Sequence, residues 1–103
     1  MISDESSDLL LKLNRETSRI PWKDLQRFYA QGAVLVVGAD IDLIAAAAAV
    51  ANDDAAAVSA WMKDEQLKIA TEEVALNWFA EDCDVWAVVV APWVLVQKER
   101  GST

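Results

Sequence analysis

The side chains in this sequence that could do chemistry are few: three acidic pairs, one cysteine, a row of basic residues and five tryptophans, with no histidine at all. Losing histidine removes the commonest general base and the commonest transition-metal ligand together. Any catalysis would have to rest on carboxylates, lysine or the thiol. The acidic pairs are Asp40/Asp42, Asp53/Asp54 and Asp82/Asp84. A calcium loop fails after Asp40-Ile41-Asp42, because Ile44 stands where a third oxygen ligand belongs and Ala45 replaces the glycine. Each pair also falls at an expected helix end, the first two as N-caps and the third in a solvated turn. Cys83 lies between Asp82 and Asp84 at the expected negative end of a helix, a setting that disfavours the thiolate. Gly32, Gly38 and Gly101 form no phosphate-binding loop. The sequence therefore implies no catalytic residue, no metal site and no cofactor.

The basic residues are more suggestive. Lys12, Arg15, Arg19, Lys23 and Arg27 follow one another at spacings of three or four, which would align them along one face if two successive helices were nearly continuous. Such a row could dock the chain's own acidic elements or those of a second copy, and Arg15 and Arg19 could instead capture an anion. Five tryptophans exceed what one small core needs. Trp61 and Trp78 lie on helical stripes and read as core. Trp22 and Trp93 are the candidates for an interface or a pocket wall, where tryptophan is enriched.

Charge distribution narrows the partners. The chain of 103 residues carries a net charge of −8. Residues 1–31 hold five basic and five acidic groups, whereas residues 32–84 set two lysines against eleven acids, a local net of −9. That segment repels nucleic-acid phosphates and anionic lipid, so neither nucleic acid nor membrane is an expected partner. Apolar runs fall short of the roughly 18 residues that span a bilayer, and acids rather than a basic-then-apolar leader occupy the start. One cysteine excludes an internal disulfide. A soluble, cytoplasmic protein is the expectation.

The elements that must position these residues centre on Val85–Gln97, VWAVVVAPWVLVQ, in which eleven of thirteen residues are aliphatic or aromatic. Val85, Ala87, Val89 and Ala91 alternate with Trp86, Val88 and Val90, so both faces are apolar and the sheet must be covered on both sides. Pro92 divides the run, at a bulge or an edge. Before it, the pattern predicts a polar tail over residues 1–7 and a helix from Asp8 to about Ser18. A second helix from Pro21 to Gln31 carries the stripe Trp22, Leu25, Phe28 and Tyr29, and Gly32 stops it. A strand follows over Ala33–Val37, then a helix from Leu43 to Ala51 that is apolar all round. The next helix turns Val58, Trp61 and Met62 inward. A short strand over Leu67–Ala70 leads to a helix capped by Thr71 with Val74, Ala75, Trp78 and Phe79 buried. Residues 98–103 form a polar tail. With no second period, a solenoid is excluded. The order ααβααβαβ(β) predicts one small α+β or α/β domain with a three- to four-stranded sheet packed by helices.

The segments ETSRIPWKDLQRFYAQGAVLVV, IDLIAAAAAVANDD and WAVVVAPWVLVQ resemble those of a small bacterial family, domain-of-unknown-function family 2288 (DUF2288). The resemblance spans roughly residues 10–97. It implies a stand-alone bacterial protein of about this size, and it carries over neither an activity nor functional residues. Two readings of function follow from the residues. The first is a non-catalytic association module that binds itself or another protein. The alternative is a small-molecule-binding or hydrolytic protein whose apolar pocket is lined by Trp22 and Trp93, with Arg19 as an anion clamp.

Overall fold

The computed structural model describes residues 2–99, with side chains from Asp8 onward. Eleven elements follow one another: α1 (Ile2–Glu16), β1 (Ser18–Pro21), a 3-10 turn (Trp22–Leu25), α2 (Gln26–Ala30), β2 (Val34–Val37), α3 (Leu43–Ala51), α4 (Ala55–Lys63), β3 (Leu67–Ile69), α5 (Glu72–Glu81), β4 (Asp84–Val90) and β5 (Trp93–Gln97). The five strands form one mixed sheet in the order β1-β4-β5-β2-β3. β5 lies parallel to β2, and the other three neighbouring pairs are antiparallel. The fold is α+β, with one strand more than the sequence pattern predicts.

Apolar residues on both faces of the central strands require two helical layers, and two are present. On one face Leu35, Val37, Val88 and Leu95 pack with Leu13 of α1, with Leu43, Ile44, Ala46 and Ala47 of α3, and with half-buried Val58 and Trp61 of α4. On the other face Val34, Val85, Ala87, Val94 and Val96 pack with Trp22, Leu25 and Ala75, joined by half-buried Phe28, Tyr29 and Trp78. α3, apolar all round, lies between the sheet and α1, and small alanines let it approach both.

The extra strand is β1. Proline disfavours helical geometry at the residue before it, so Ile20 is extended, and Ser18–Pro21 pairs with Asp84–Ala87 at the sheet edge. The expected helix from Pro21 to Gln31 accordingly becomes the 3-10 turn followed by the short α2. α1 starts at Ile2, so Asp8 lies inside it rather than capping it. Pro92 occupies the turn between β4 and β5, with a cis Ala91–Pro92 bond, instead of a bulge or a sheet edge. It is Pro21 that sits on an edge strand, where a missing N–H is tolerated. Lys98 and Glu99 follow β5 exposed, and residues 100–103 of the expected tail lie outside the described residues.

Caps define the helix boundaries. Asp42 accepts from the Ala45 N–H (3.1 Å), Asp54 from Ala57 (3.2 Å) and Thr71 from Val74 (3.2 Å), which satisfies one orphan donor at each N-terminus. The four helices α2 to α5 share one C-terminal device, a left-handed residue followed by a backbone bond back into the last turn. Gly32, Asp53, Glu65 and Asp82 hold the left-handed positions, at φ between 53° and 72°, and the next N–H in each case bonds to Phe28, Ala49, Trp61 or Trp78.

Three of those four positions lack glycine, the residue that adopts this geometry without a steric penalty. Replacing Glu65 with Gly should therefore raise unfolding free energy by about 0.5–1 kcal/mol, whereas Gly32→Ala should lower it by about 1 kcal/mol. Open space surrounds a Cβ at Gly32, so only backbone strain enters that comparison. Urea unfolding at unchanged slope reads both changes; a lower midpoint for Glu65→Gly would refute this account of the helix ends.

Candidate functional site

The four residues singled out from sequence are not brought together. Trp22 is fully buried. Its Nε1–H donates to the Ala75 carbonyl (3.1 Å), and its ring stands edge-on to Trp78, with centroids 5.2 Å apart at 83°. Tyr29 closes a third side at 6.0 Å. Trp22 is therefore a core anchor with a satisfied polar handle, not an interface or a pocket wall. Arg15 is exposed on α1 and makes no ion pair among the described residues.

Arg19 lies in β1 directly opposite Trp86. Its guanidinium sits 5.8 Å from the Trp86 ring centroid and 3.9 Å from Asp84 Oδ2. Lys23, in the 3-10 turn, reaches Asp82 Oδ1 at 3.1 Å and lies 5.5 Å from the Phe79 ring. Because β1 interrupts the helices, the basic row is not one face. Two of its members instead clasp the acids on either side of Cys83. These pairs are half exposed and each contributes at most about 1 kcal/mol.

Trp93 is half-buried and does line a cleft, of about 380 Å³, on the α1/α3/α4 side of the sheet. Leu35, Val50, Val58, Met62 and Pro92 supply most of its apolar wall, and Asp53 and Asp54 stand in its lining. Arg19 is two strands across the sheet from β5, and its row, Arg19–Trp86–Gln97, is four residues along β5 from Trp93. Trp22 lies on the opposite face. The pocket expected from Trp22, Trp93 and an Arg19 clamp is thus not assembled, and the charge beside Trp93 is negative rather than positive.

Exposure also departs from the helical stripes. Met62, expected to face inward, is 42% exposed at the cleft, and Phe79, expected to be buried, is 49% exposed. Ile69, 49% exposed, is paired with cleft-lining Leu35 on the same face but does not itself line the cleft. The sequence pattern read Asp53 as part of a helix-capping pair and Val58 and Met62 as core, and assigned none of them to a site. The Asp53/Asp54 pair and a methionine near the C-terminal end of a short amphipathic helix were the available signals.

Two further concavities of about 340 Å³ each lie elsewhere. One runs between α2 and α5 beside Tyr29, Leu76 and Phe79. The other sits past the C-terminal ends of β2 and β5, between Ala39, Trp78 and Gln97. Buried Gln97 there donates from Nε2 to the carbonyls of Gly38 (2.7 Å) and Ile41 (2.8 Å), tying down the loop that enters α3. Gly38 has no Cβ, and the buried Gln66 Oε1 occupies that space without a hydrogen-bond partner.

Among the described residues no three Cys, Asp or Glu side chains converge as a cation site. No described helix is long and apolar enough to cross a membrane. Cys83 is a free, half-buried thiol. Burial pushes its pKa above the ordinary cysteine value and the Glu81 and Asp84 carboxylates add to this, while the Lys98 ammonium opposes them. A raised pKa means that less thiolate is present at neutral pH.

A family model described as "Protein of unknown function (DUF2288)" matches residues 8–98. The NMR solution structure of PA1075 from Pseudomonas aeruginosa is similar over 94% of this chain and 91% of that chain, at 43% sequence identity and a TM-score of 0.80. No curated protein matches the chain.

The thiol gives a direct test of the electrostatics around β4. Alkylation of Cys83 by iodoacetamide should follow a pH profile whose midpoint lies above that of an unstructured cysteine. Lys98→Gln should move the midpoint further up, since a charge that favours the thiolate is removed. A midpoint at or below the unstructured value would show that burial is not the dominant influence on this thiol.

Proposed function

Taking as premise that the chain belongs to the DUF2288 family, we propose that it is a non-catalytic, soluble cytoplasmic module whose function is association with a second copy of itself. One observation carries this reading: the Trp93-walled apolar cleft has exposed Met62 in its lining, and exposed Ile69 pairs with cleft-lining Leu35 on the same face of the sheet. Single exposed apolar residues are ordinary on protein surfaces. A concave apolar set with a tryptophan on its wall is the kind of surface that partners cover.

The chemical inventory points the same way. The cleft holds two carboxylates and Ser59 but no histidine, thiol or lysine. Asp54 already accepts a hydrogen bond from Ala57 as the α4 cap. Nothing in the lining pairs a nucleophile with a base. The volume alone falls in the range of small-molecule pockets, so a bound metabolite is the competing reading, and one measurement separates them.

Native mass spectrometry of the purified chain, supported by light scattering after size exclusion at micromolar concentration, should give twice the 11.3 kDa chain mass without an adduct. A strict monomer would remove the association reading. A monomer with a persistent added mass would replace it by ligand binding.

A further inference from the structure

We propose that the Trp93 cleft selects a small organic cation, an alkyl- or arylalkylammonium ion whose apolar body enters the cleft and whose N–H groups face Asp53 and Asp54. This goes beyond the association reading and does not rest on it. A ligand of this size occupies the concavity in the free chain and competes there with a second copy.

The lining states the chemistry. Its volume of about 380 Å³ and its mainly apolar wall suit a small organic body. Trp93 and Met62 supply the two groups in it best suited to a soft or cationic guest, an indole face and a polarisable thioether. The charged groups in the lining are Asp53 and Asp54, with no lysine or arginine beside them. The cation of α4, Lys63, is nine residues on from Asp54, roughly 13 Å along a helix, and lies outside the lining. The other two concavities differ: one has the single carboxylate Glu72, and the other sets Lys98 against Glu99.

Both carboxylates are held in place with acceptor capacity left. Asp53 N–H donates to the Val50 carbonyl (3.1 Å), Asp54 N–H to Ala49 (2.8 Å), and the Asp53 carbonyl accepts from Ala55 (2.9 Å). The Asp54 side chain spends Oδ1 on the Ala57 cap. The Asp53 side chain makes neither hydrogen bond nor ion pair among the described residues. By contrast Asp82, Asp84 and Glu81 each face a cation of their own chain. The net charge of −8 favours the approach of a cation and opposes that of an anion. Because Asp53 and Asp54 are exposed, their charge adds selectivity of about fivefold while the apolar wall supplies most of the affinity.

Three probes of one shape separate charge from shape: phenethylammonium, phenethyl alcohol and 3-phenylpropionate. Each is titrated into the ¹⁵N-labelled chain at neutral pH and low salt, and the Trp93 indole N–H signal, assigned by its absence in Trp93→Phe, is followed. The cation should shift it saturably and bind about fivefold or more tighter than the alcohol, and the carboxylate should bind weakest. Asparagine tolerates the left-handed position of residue 53 and caps a helix as aspartate does. Asp53→Asn with Asp54→Asn should therefore unfold as cooperatively as wild type and bind cation and alcohol equally. Equal binding of cation and alcohol to wild type, a preference that survives in the asparagine variant, or no saturable shift of Trp93 up to about 10 mM cation would each overturn the proposal. Native mass spectra of the same samples decide the association reading separately. A monomer that binds the cation removes association and leaves this site, whereas a dimer whose Trp93 ignores the cation does the reverse. A dimer that dissociates as Trp93 shifts supports both.

Discussion

Everything in this structure depends on β5 being paired on both sides. It accepts β2 in parallel and β4 in antiparallel register, so its backbone groups are used on both edges. Its alternate side chains therefore have to find apolar cover on both faces. Trp93 and Leu95 point toward α1, α3 and α4, while Val94 and Val96 point toward the 3-10 turn and α5. A strand exposed on one side would have required only one helical layer. This one requires two, and the chain supplies them from segments that precede it in sequence.

The central position of β5 also explains its one buried polar residue. Gln97 falls on the same face as Leu95, where a bare amide would carry a heavy desolvation penalty. Two donated bonds, to Gly38 and Ile41, discharge that penalty and at the same time fix the loop between β2 and α3. Local sequence could not announce this partnership, since the residues joined are 56 and 59 positions apart.

Legibility followed the same division between local and long-range causes. The apolar alternation of Val85–Gln97, the all-apolar α3, the capping pairs Asp40/Asp42 and Asp53/Asp54, the Thr71 cap and the stop at Gly32 are local signals, and each corresponds to an element or boundary observed, with Asp42 and Asp54 as the capping member of each pair. β1 was not legible because Ser18–Pro21 has no apolar alternation to reveal it; it is a strand through pairing with β4. Phe79 and Met62 sit on helical stripes that are wider than the surfaces covering them, so periodicity assigned them inward. For the site, Trp22 and Trp93 have the same local context, each directly after a proline. One begins the 3-10 turn and is sealed by Ala75 and Trp78, and the other begins β5 at the rim of a cleft. Burial separates them, and burial is a property of the assembled layers.

Charge segregation gives the surface its direction. In a chain whose central half is strongly acidic, apolar exposure alone would favour indiscriminate contact, but like-charge repulsion between copies opposes most relative orientations. The basic residues could have relieved that repulsion generally had they formed one continuous row. β1 prevents this by turning Arg19 and Lys23 back onto Asp84 and Asp82, where they neutralise the turn around Cys83. Of the row, Lys12 and Arg15 on α1 and Arg27 on α2 remain exposed, with no ion pair among the described residues. The interruption that defeats a simple helical reading of the N-terminal third therefore also divides its positive charge among α1, α2 and the turn around Cys83.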